Sequence, residues 1–240
     1  MKIISLYGNV LIAKTEIRLR WMLQGVHVDI SALISGIKAE QMRLLTDMYT
    51  WITMNWGKVI DIRYASIRSM DISNGEGIGV ALFVQGCHFH CHNCFNPETW
   101  DFNGGKEWTQ KVEDKFIELA SRPYIQRISI LGGEPLADEN LDSVLNLVNK
   151  IRLLFPQKSI WLYTGYTWKQ LFEDDEFDIK YGICENKTRR AIVLSCDVLV
   201  DGKYIDSKRD ITLKWRGSSN QKVIDVKRCW QKGEIVLWTE

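Results

Sequence analysis

The sequence predicts an α/β fold, a parallel sheet curling into a partial, open β/α barrel with an N-terminal appendage. Three observations carry that prediction. Short apolar or β-branched runs recur at residues 78–85, 128–131, 159–164 and 197–200 and read as buried strands. Between them lie stretches whose apolar residues repeat at helical spacing. The residues best suited to bind something sit just past the strands, where open α/β sheets place their sites.

Composition bounds the rest. With 240 residues, 45% hydrophobic and 25% charged, the chain can bury a core and fits one domain plus an appendage. The formal net charge of +1 argues against a general nucleic-acid surface and gives no electrostatic reason for a membrane partner. No apolar run is long enough to span a bilayer, so a soluble, cytoplasmic protein is expected. Ten tryptophans are scattered along the chain and read as core or interface anchors.

At the N-terminus, Lys2 precedes the apolar run IISLYGNVLIA, but Gly8 and Asn9 interrupt it and no small-x-small cleavage site follows, so a signal peptide is rejected. Residues 26–34 fit a strand, and residues 38–51 fit a helix with Met42, Leu45 and Met48 at helical spacing. Nothing there suggests chemistry. The division expected is therefore an extension of unassigned role at 1–60 and the main domain at 61–240.

Within the main domain, residues 73–77 (SNGEG) form a turn, and residues 78–85 (IGVALFVQ) form a buried strand that stops at Gly86. A helix over 111–120 presents Val112, Phe116 and Leu119. Ile128, Ile130 and Leu131 make the next strand, and Gly132-Gly133 after it lets backbone approach a ligand. Pro135 biases Glu134 towards an extended conformation. Leu141, Val144, Leu145, Val148 and Ile151 trace a helical face, with Asp138 to Asn140 as candidate caps. Residues 159–164 (SIWLYT) are a strand, and Thr167 and Gln170 have capping-box spacing for a helix carrying Leu171 and Phe172. Residues 173–187 read as a charged surface excursion, 197–200 as a strand ending in Asp201-Gly202, and 222–226 as a final strand.

The chemistry concentrates in residues 86–96, GCHFHCHNCFN. Cys87, Cys91 and Cys94 fall within eight residues, with His88, His90 and His92 between them. This C-x3-C-x2-C spacing supplies three soft ligands, one fewer than a closed tetrahedral shell needs. Two metals fit: zinc, with one of the histidines as fourth ligand, or a four-iron cluster whose fourth iron stays open to a small chelating molecule. In the cluster reading the histidines are polar loop residues. A disulfide framework does not suit a chain of this size without a secretory segment. Cys184, Cys196 and Cys229 lack ligand spacing and read as ordinary thiols.

A three-cysteine loop of this kind resembles that of the radical S-adenosylmethionine (SAM) enzymes, and GGEP at 132–135 is similar to their segment that meets the methionyl amine. The match narrows further. The run YASIRSMDISNGEGIGVALFVQGCHFHCHNCFNPETWDFNGGKEWT, then LGGEPL, WLYTGY, LVDGKY and WRGSSNQ, resembles the activators of anaerobic ribonucleoside-triphosphate reductase, over residues 61–226. The resemblance implies a barrel of the radical SAM type and a [4Fe-4S] cluster ligated by Cys87, Cys91 and Cys94. It implies SAM contacts from Asn93, Cys94, Phe95, Gly132, Gly133 and Glu134, and no catalytic side chain beyond this cofactor shell. Residues 163–166 and Asp201 are secondary pocket candidates, and residues 215–221 face cofactor or partner. The implied partners are the reductase, on which a glycyl radical is generated, and a low-potential donor such as flavodoxin. An activator of pyruvate formate-lyase, or a radical SAM enzyme acting on a small molecule, would share the cysteine loop but lack WRGSSNQ; a zinc-binding module is the non-enzyme alternative. Two departures stand out: Asn93 replaces the aromatic residue common before the third cysteine, and residues 1–60 exceed what the family normally carries.

Overall fold

The computed structural model describes residues 61–173 and 182–238. The strand expected at 26–34 and the helix at 38–51 lie outside the described residues. The strands are β1 (Arg63–Asp71), β2 (Gly79–Val84), β3 (Lys106–Glu107), β4 (Arg127–Gly132), β5 (Ser159–Tyr163), β6 (Val198–Asp201) and β7 (Lys222–Asp225). The α-helices are α1 (Gln110–Ser121), α2 (Leu141–Leu154), α3 (Trp168–Phe172), α4 (Ile183–Leu194) and α5 (Val226–Lys232).

One open sheet runs in the order β3-β1-β2-β4-β5-β6-β7. Its centre, β2-β4-β5-β6, is parallel, while β1 and β7 pair antiparallel with β2 and β6. The expected all-parallel sheet is thus corrected to a mixed one. The antiparallel flank β1 escapes a pattern reading because one side of an antiparallel strand can face water, and RYASIRSMD carries few apolar residues.

Most strand and helix boundaries fall close to expectation. The Thr167–Gln170 capping box forms with both reciprocal hydrogen bonds. Three expectations change. The excursion at 173–187 runs into α4, whose buried face includes Asn186 and Arg189 beside Ile192 and Val193, a polar mix that hides helical periodicity. The last strand ends at Asp225, whose carboxylate accepts the Arg228 N–H at 2.9 Å and starts α5. Asp138–Asn140 is a 3-10 turn that makes no side-chain cap.

The helix-covered side of the sheet holds the main core, with Leu82, Ile130, Leu147, Val148, Ile160 and Leu199 fully buried. The opposite side carries Ala81, Phe83 and Leu131, and then Trp161, Val198, Val200 and Val223. At the foot of that side lies Arg127, which has no solvent exposure. Its guanidinium donates to Asp71 Oδ1 at 3.0 Å, Asn74 O at 2.5 Å, Glu76 O at 3.1 Å and Ser129 Oγ at 2.5 Å. These bonds fasten the 71–77 turn beneath the sheet. Gly75 sits so close that a Cβ would lie 2.5 Å from Arg127 Cδ.

Burial alone would raise the Asp71 carboxyl, but the Asn74 N–H and Arg127 outweigh it and hold the carboxyl below its ordinary value. A depressed folded-state value contributes stability above the unfolded value and loses it as pH falls through the folded one. Arg127→Met removes the buried partner of Asp71, leaving its carboxylate the Asn74 donors and the 3.6 Å pairing with half-exposed Arg68, and is expected to cost about 3 kcal/mol at neutral pH. In urea unfolding curves that deficit shrinks as pH falls from about 3.9, the ordinary value of an unfolded aspartate, through the lower value that Asp71 has in the folded protein.

Candidate functional site

Adjacent parallel strands set the site. The register pairs Val84 of β2 with Gly132 of β4, so the loops that follow them emerge side by side. Backbone bonds then lace them together: Gly133 N–H to Val84 O at 2.9 Å and Glu134 N–H to Gly86 O at 2.7 Å. The cysteine loop doubles back through a 3-10 turn at Pro97–Thr99, so that Gly86 and Cys87 donate to the carbonyls of Thr99 and Trp100 at 2.8 and 3.0 Å. A Cβ on Gly133 would stand 2.4 Å from the Gly86 carbonyl oxygen. Asn140, expected as a cap, instead donates its side-chain amide to Gln85 O at 3.0 Å and Glu134 O at 2.9 Å, clipping both loops together.

These loops open onto a cavity of about 380 Å³. Cys87, Cys91, Cys94, Phe95, Gly132, Gly133 and Glu134 all line it, as do Tyr163, Thr164, Gly165, Trp215, Gly217 and Gln221. Asn93 does not. Its side-chain amide turns away to donate to Asp206 Oδ2 at 2.9 Å. Asn93 also has φ +54, a left-handed conformation that asparagine tolerates better than bulky residues, which gives a local reason for the missing aromatic. Asp201 lies outside the lining and accepts the Trp168 and Lys222 N–H groups at 2.8 and 3.1 Å, a structural role.

Glu134 reaches the cavity wall but binds the protein itself. Its carboxylate accepts the Leu136 N–H, the Thr164 hydroxyl and the Gly165 N–H at 2.7–2.8 Å, bracing the tip of β4 to that of β5. Burial pushes this carboxyl up to about 7 against those donors. Buried Arg189 of α4 supports the same turn by donating to Leu136 O at 3.0 Å and pairing with Asp138. Arg189 carries no signal in the sequence, because it is a single polar residue without motif spacing, whereas Thr164 falls within the secondary pocket candidates at 163–166.

The histidines point elsewhere. His88 packs on Phe102 with centroids 4.5 Å apart and meets Glu139 at 2.8 Å, while His90 stacks on Trp100 at 4.7 Å. His92 is exposed and 3.9 Å from Asp206. Among the described residues no imidazole lines the cavity, so His88, His90 and His92 are not placed as the fourth ligand of a zinc site of three cysteines and one histidine. As placed, the three thiols share the cavity without converging into a finished metal shell. Each has one side-chain torsion with which to turn its sulfur towards a common centre. Three soft donors beside an open space fit an iron–sulfur cluster better than a hard cation. Burial and the neighbouring Glu134 push the Cys87 thiol up to about 11, and burial raises Cys91, so any metal must displace protons here.

Residues 203–221 build the remaining wall. Tyr204 packs against Phe95 at 4.9 Å, Arg209 lies 5.6 Å over the same ring, and Lys203 sits 4.5 Å over Phe89. Asp206 accepts from both Asn93 and the Tyr204 hydroxyl, the latter at 2.8 Å, tying this segment to the residue before Cys94. Gln221 braces it from within, accepting the Gly217 N–H at 3.0 Å and donating to Gly202 O at 2.9 Å.

A cavity lined by three cysteines at adjoining strand tips agrees with the comparison to known families. Residues 73–224 match the model of a 4Fe-4S single cluster domain, which defines the class. Anaerobic ribonucleoside-triphosphate reductase-activating proteins of Vibrio cholerae serotype O1 and Escherichia coli K12 are each 38% identical over 164 residues, 68% of this chain and 97% of theirs. The protein of that name from Enterobacteria phage T4 is 34% identical over 164 residues, 68% of this chain and 93% of its own. The chain belongs to the anaerobic ribonucleoside-triphosphate reductase-activating protein family.

Gly133→Ala forces a Cβ onto backbone that cannot yield, and is expected to lower stability by about 3 kcal/mol in chemical denaturation. Asp206→Ala should leave the fold intact but free the residue before Cys94, so that iron is lost to a chelator faster than from wild type, while Asp206→Asn, which keeps an acceptor oxygen, behaves closer to wild type.

Proposed function

We propose that this chain activates an anaerobic ribonucleoside-triphosphate reductase by generating a glycyl radical on it, using a [4Fe-4S] cluster and SAM. The observation that supports this most directly is the single cavity in which three thiols, without an imidazole, face a Gly-Gly turn on the neighbouring strand tip, in a chain of this family. In this reading Cys87, Cys91 and Cys94 hold three irons and leave the fourth to SAM. When bound, the cluster and SAM supply one electron and a 5'-deoxyadenosyl radical, with methionine as the other product.

The remaining tasks fall to this chain's own groups. Gly132 and Gly133 present backbone without side chains, so a cofactor's amino group can reach their carbonyls. Glu134 fixes that turn through its three accepted hydrogen bonds. Cys94 and Phe95 flank the cofactor from the cysteine loop, and Asn93 acts through Asp206 to place them. Phe83 and Leu131 make the cavity's inner wall apolar and keep water from a reactive radical. Among the described residues the sheet does not close on itself from β3 round to β7, which leaves room for a loop of a large protein to enter.

The fold is accordingly a partial barrel of the radical SAM type, with residues 61–240 as its domain and residues 1–60 as an extension. Flavodoxin is the proposed electron donor and the cytoplasm the proposed location. No helix of the described residues is long and apolar enough to cross a membrane.

Anaerobically purified or reconstituted protein is expected to hold about four irons and about four sulfides per chain. Serine at Cys87, Cys91 or Cys94 should abolish that content, whereas Cys196→Ser and Cys229→Ser should keep it. Colourless protein with stoichiometric zinc would refute the cluster. Mixed with SAM, reductant and the reductase, wild type should give 5'-deoxyadenosine and a glycyl radical signal by electron paramagnetic resonance; a signal on pyruvate formate-lyase alone would refute the assignment of target.

A further inference from the structure

We infer that Asn140 is a positioning residue of the cofactor site, whose side-chain amide holds the cysteine loop and the Gly-Gly turn at the separation at which one bound molecule reaches both. Resting on the functional reading above, this assigns part of the affinity for SAM to a side chain that does not line the cavity.

Asn140 is buried at the end of the 3-10 turn that leads into α2. Leu141, Val144, Leu147, Val148 and Ile151 hold that helix in the main core, so the amide starts from a rigid base. From there its nitrogen donates twice, to Gln85 O at 3.0 Å and to Glu134 O at 2.9 Å. A side-chain amide nitrogen carries two hydrogens, and both are used. The acceptors belong to different loops, one just before Gly86 and the other just after Gly133.

Both loops need such a tie. Gly86 and Gly132 have φ +92 and +106, and a glycine does little by itself to fix the direction of the chain on either side of it. The Glu134–Pro135 peptide has no N–H, which leaves its carbonyl as the one hydrogen-bonding group by which it can be held. That carbonyl also accepts the Ala137 N–H at 3.1 Å, but this bond lies within the turn and ties it to nothing across the seam. The Gly133 and Glu134 N–H groups join the seam directly, and Asn140 fixes the two carbonyls next to those bonds.

A molecule held by the cysteine loop's metal and bonded to the Gly-Gly backbone touches both loops at once, so its affinity depends on their separation. The thiols themselves all belong to one loop. Loss of Asn140 therefore separates two properties: metal content, which needs the three cysteines, and cofactor affinity, which needs the seam. Side chains one step behind a ligand act in this way, by orienting the groups that touch it.

The test uses the full chain, reconstituted anaerobically. Asn140→Leu keeps the side-chain volume and leaves both carbonyls without their donor, while Asn140→Ala leaves room for a water to satisfy them, so that the fold survives and the tie is lost. Both variants should hold about four irons per chain. They should need about tenfold more SAM for half of the change it produces in the electron paramagnetic resonance spectrum of the reduced cluster. In the metal-free protein the Gly133 and Glu134 amide hydrogens should exchange about tenfold faster than in wild type. Leu147→Ala, which empties a fully buried position of the same helix, should lower the melting temperature and leave SAM affinity unchanged. SAM affinity or amide exchange within about twofold of wild type in both Asn140 variants overturns the inference. So does loss of iron from them, or an equal weakening of SAM binding in Leu147→Ala, which would make the effect one of general stability. Failure of SAM to alter the wild-type spectrum would overturn the functional reading first, and is seen in the wild-type arm alone.

Discussion

Everything at the site depends on the close approach of two backbones at the tips of β2 and β4. Gly86 offers its carbonyl to Glu134, Val84 offers its own to Gly133, and Gly133 leaves no room for a Cβ between them. Two loops far apart in sequence thereby behave as one rigid piece. A cysteine loop without this neighbour would be a mobile surface turn, and thiols on a mobile turn lose a large ordering entropy when they hold a metal. With it, the first cysteine is buried and its backbone anchored before any metal arrives.

Around this seam the protein uses polar side chains as braces. Asn140 clips both loops, Glu134 joins the tips of β4 and β5, and Asp206 ties the 203–221 segment to Asn93. At the foot of the sheet, Arg127 satisfies the carbonyls of the 71–77 turn. Burying such groups is unfavourable unless each finds partners, and here nearly all do. Their effect is geometric specificity: each bond joins elements distant in the chain, so a slip of one strand would leave several charged or polar atoms stranded at once.

The elements that carry the seam are legible from sequence because their signals are local. IGVALFVQ is a nearly continuous apolar run and RISIL sets Ile128, Ile130 and Leu131 close together, as buried strands do, and the cysteine spacing and GGEP follow them directly. What is not legible arises from tertiary pairing. β1 hides because half of it meets solvent, and α4 hides because Arg189 and Asn186 occupy its buried face for the sake of the turn at Leu136. The position of Asn93 beside Cys94 suggests a cofactor contact; its left-handed backbone directs the amide outward to Asp206, which no spacing rule reveals. Glu134 stands at the expected wall, but its carboxylate is bound by the protein.

That last point bears on what the cavity can do. Glu134 and Gln221, both on the cavity wall, direct their polar atoms to protein partners. Recognition is left to backbone at Gly132-Gly133 and to sulfur at the three cysteines. The one carboxyl on the cavity wall among the described residues, Glu134, is occupied by three protein donors. In the proposed chemistry single electrons and hydrogen atoms move, and the protein's work is to fix positions and exclude water.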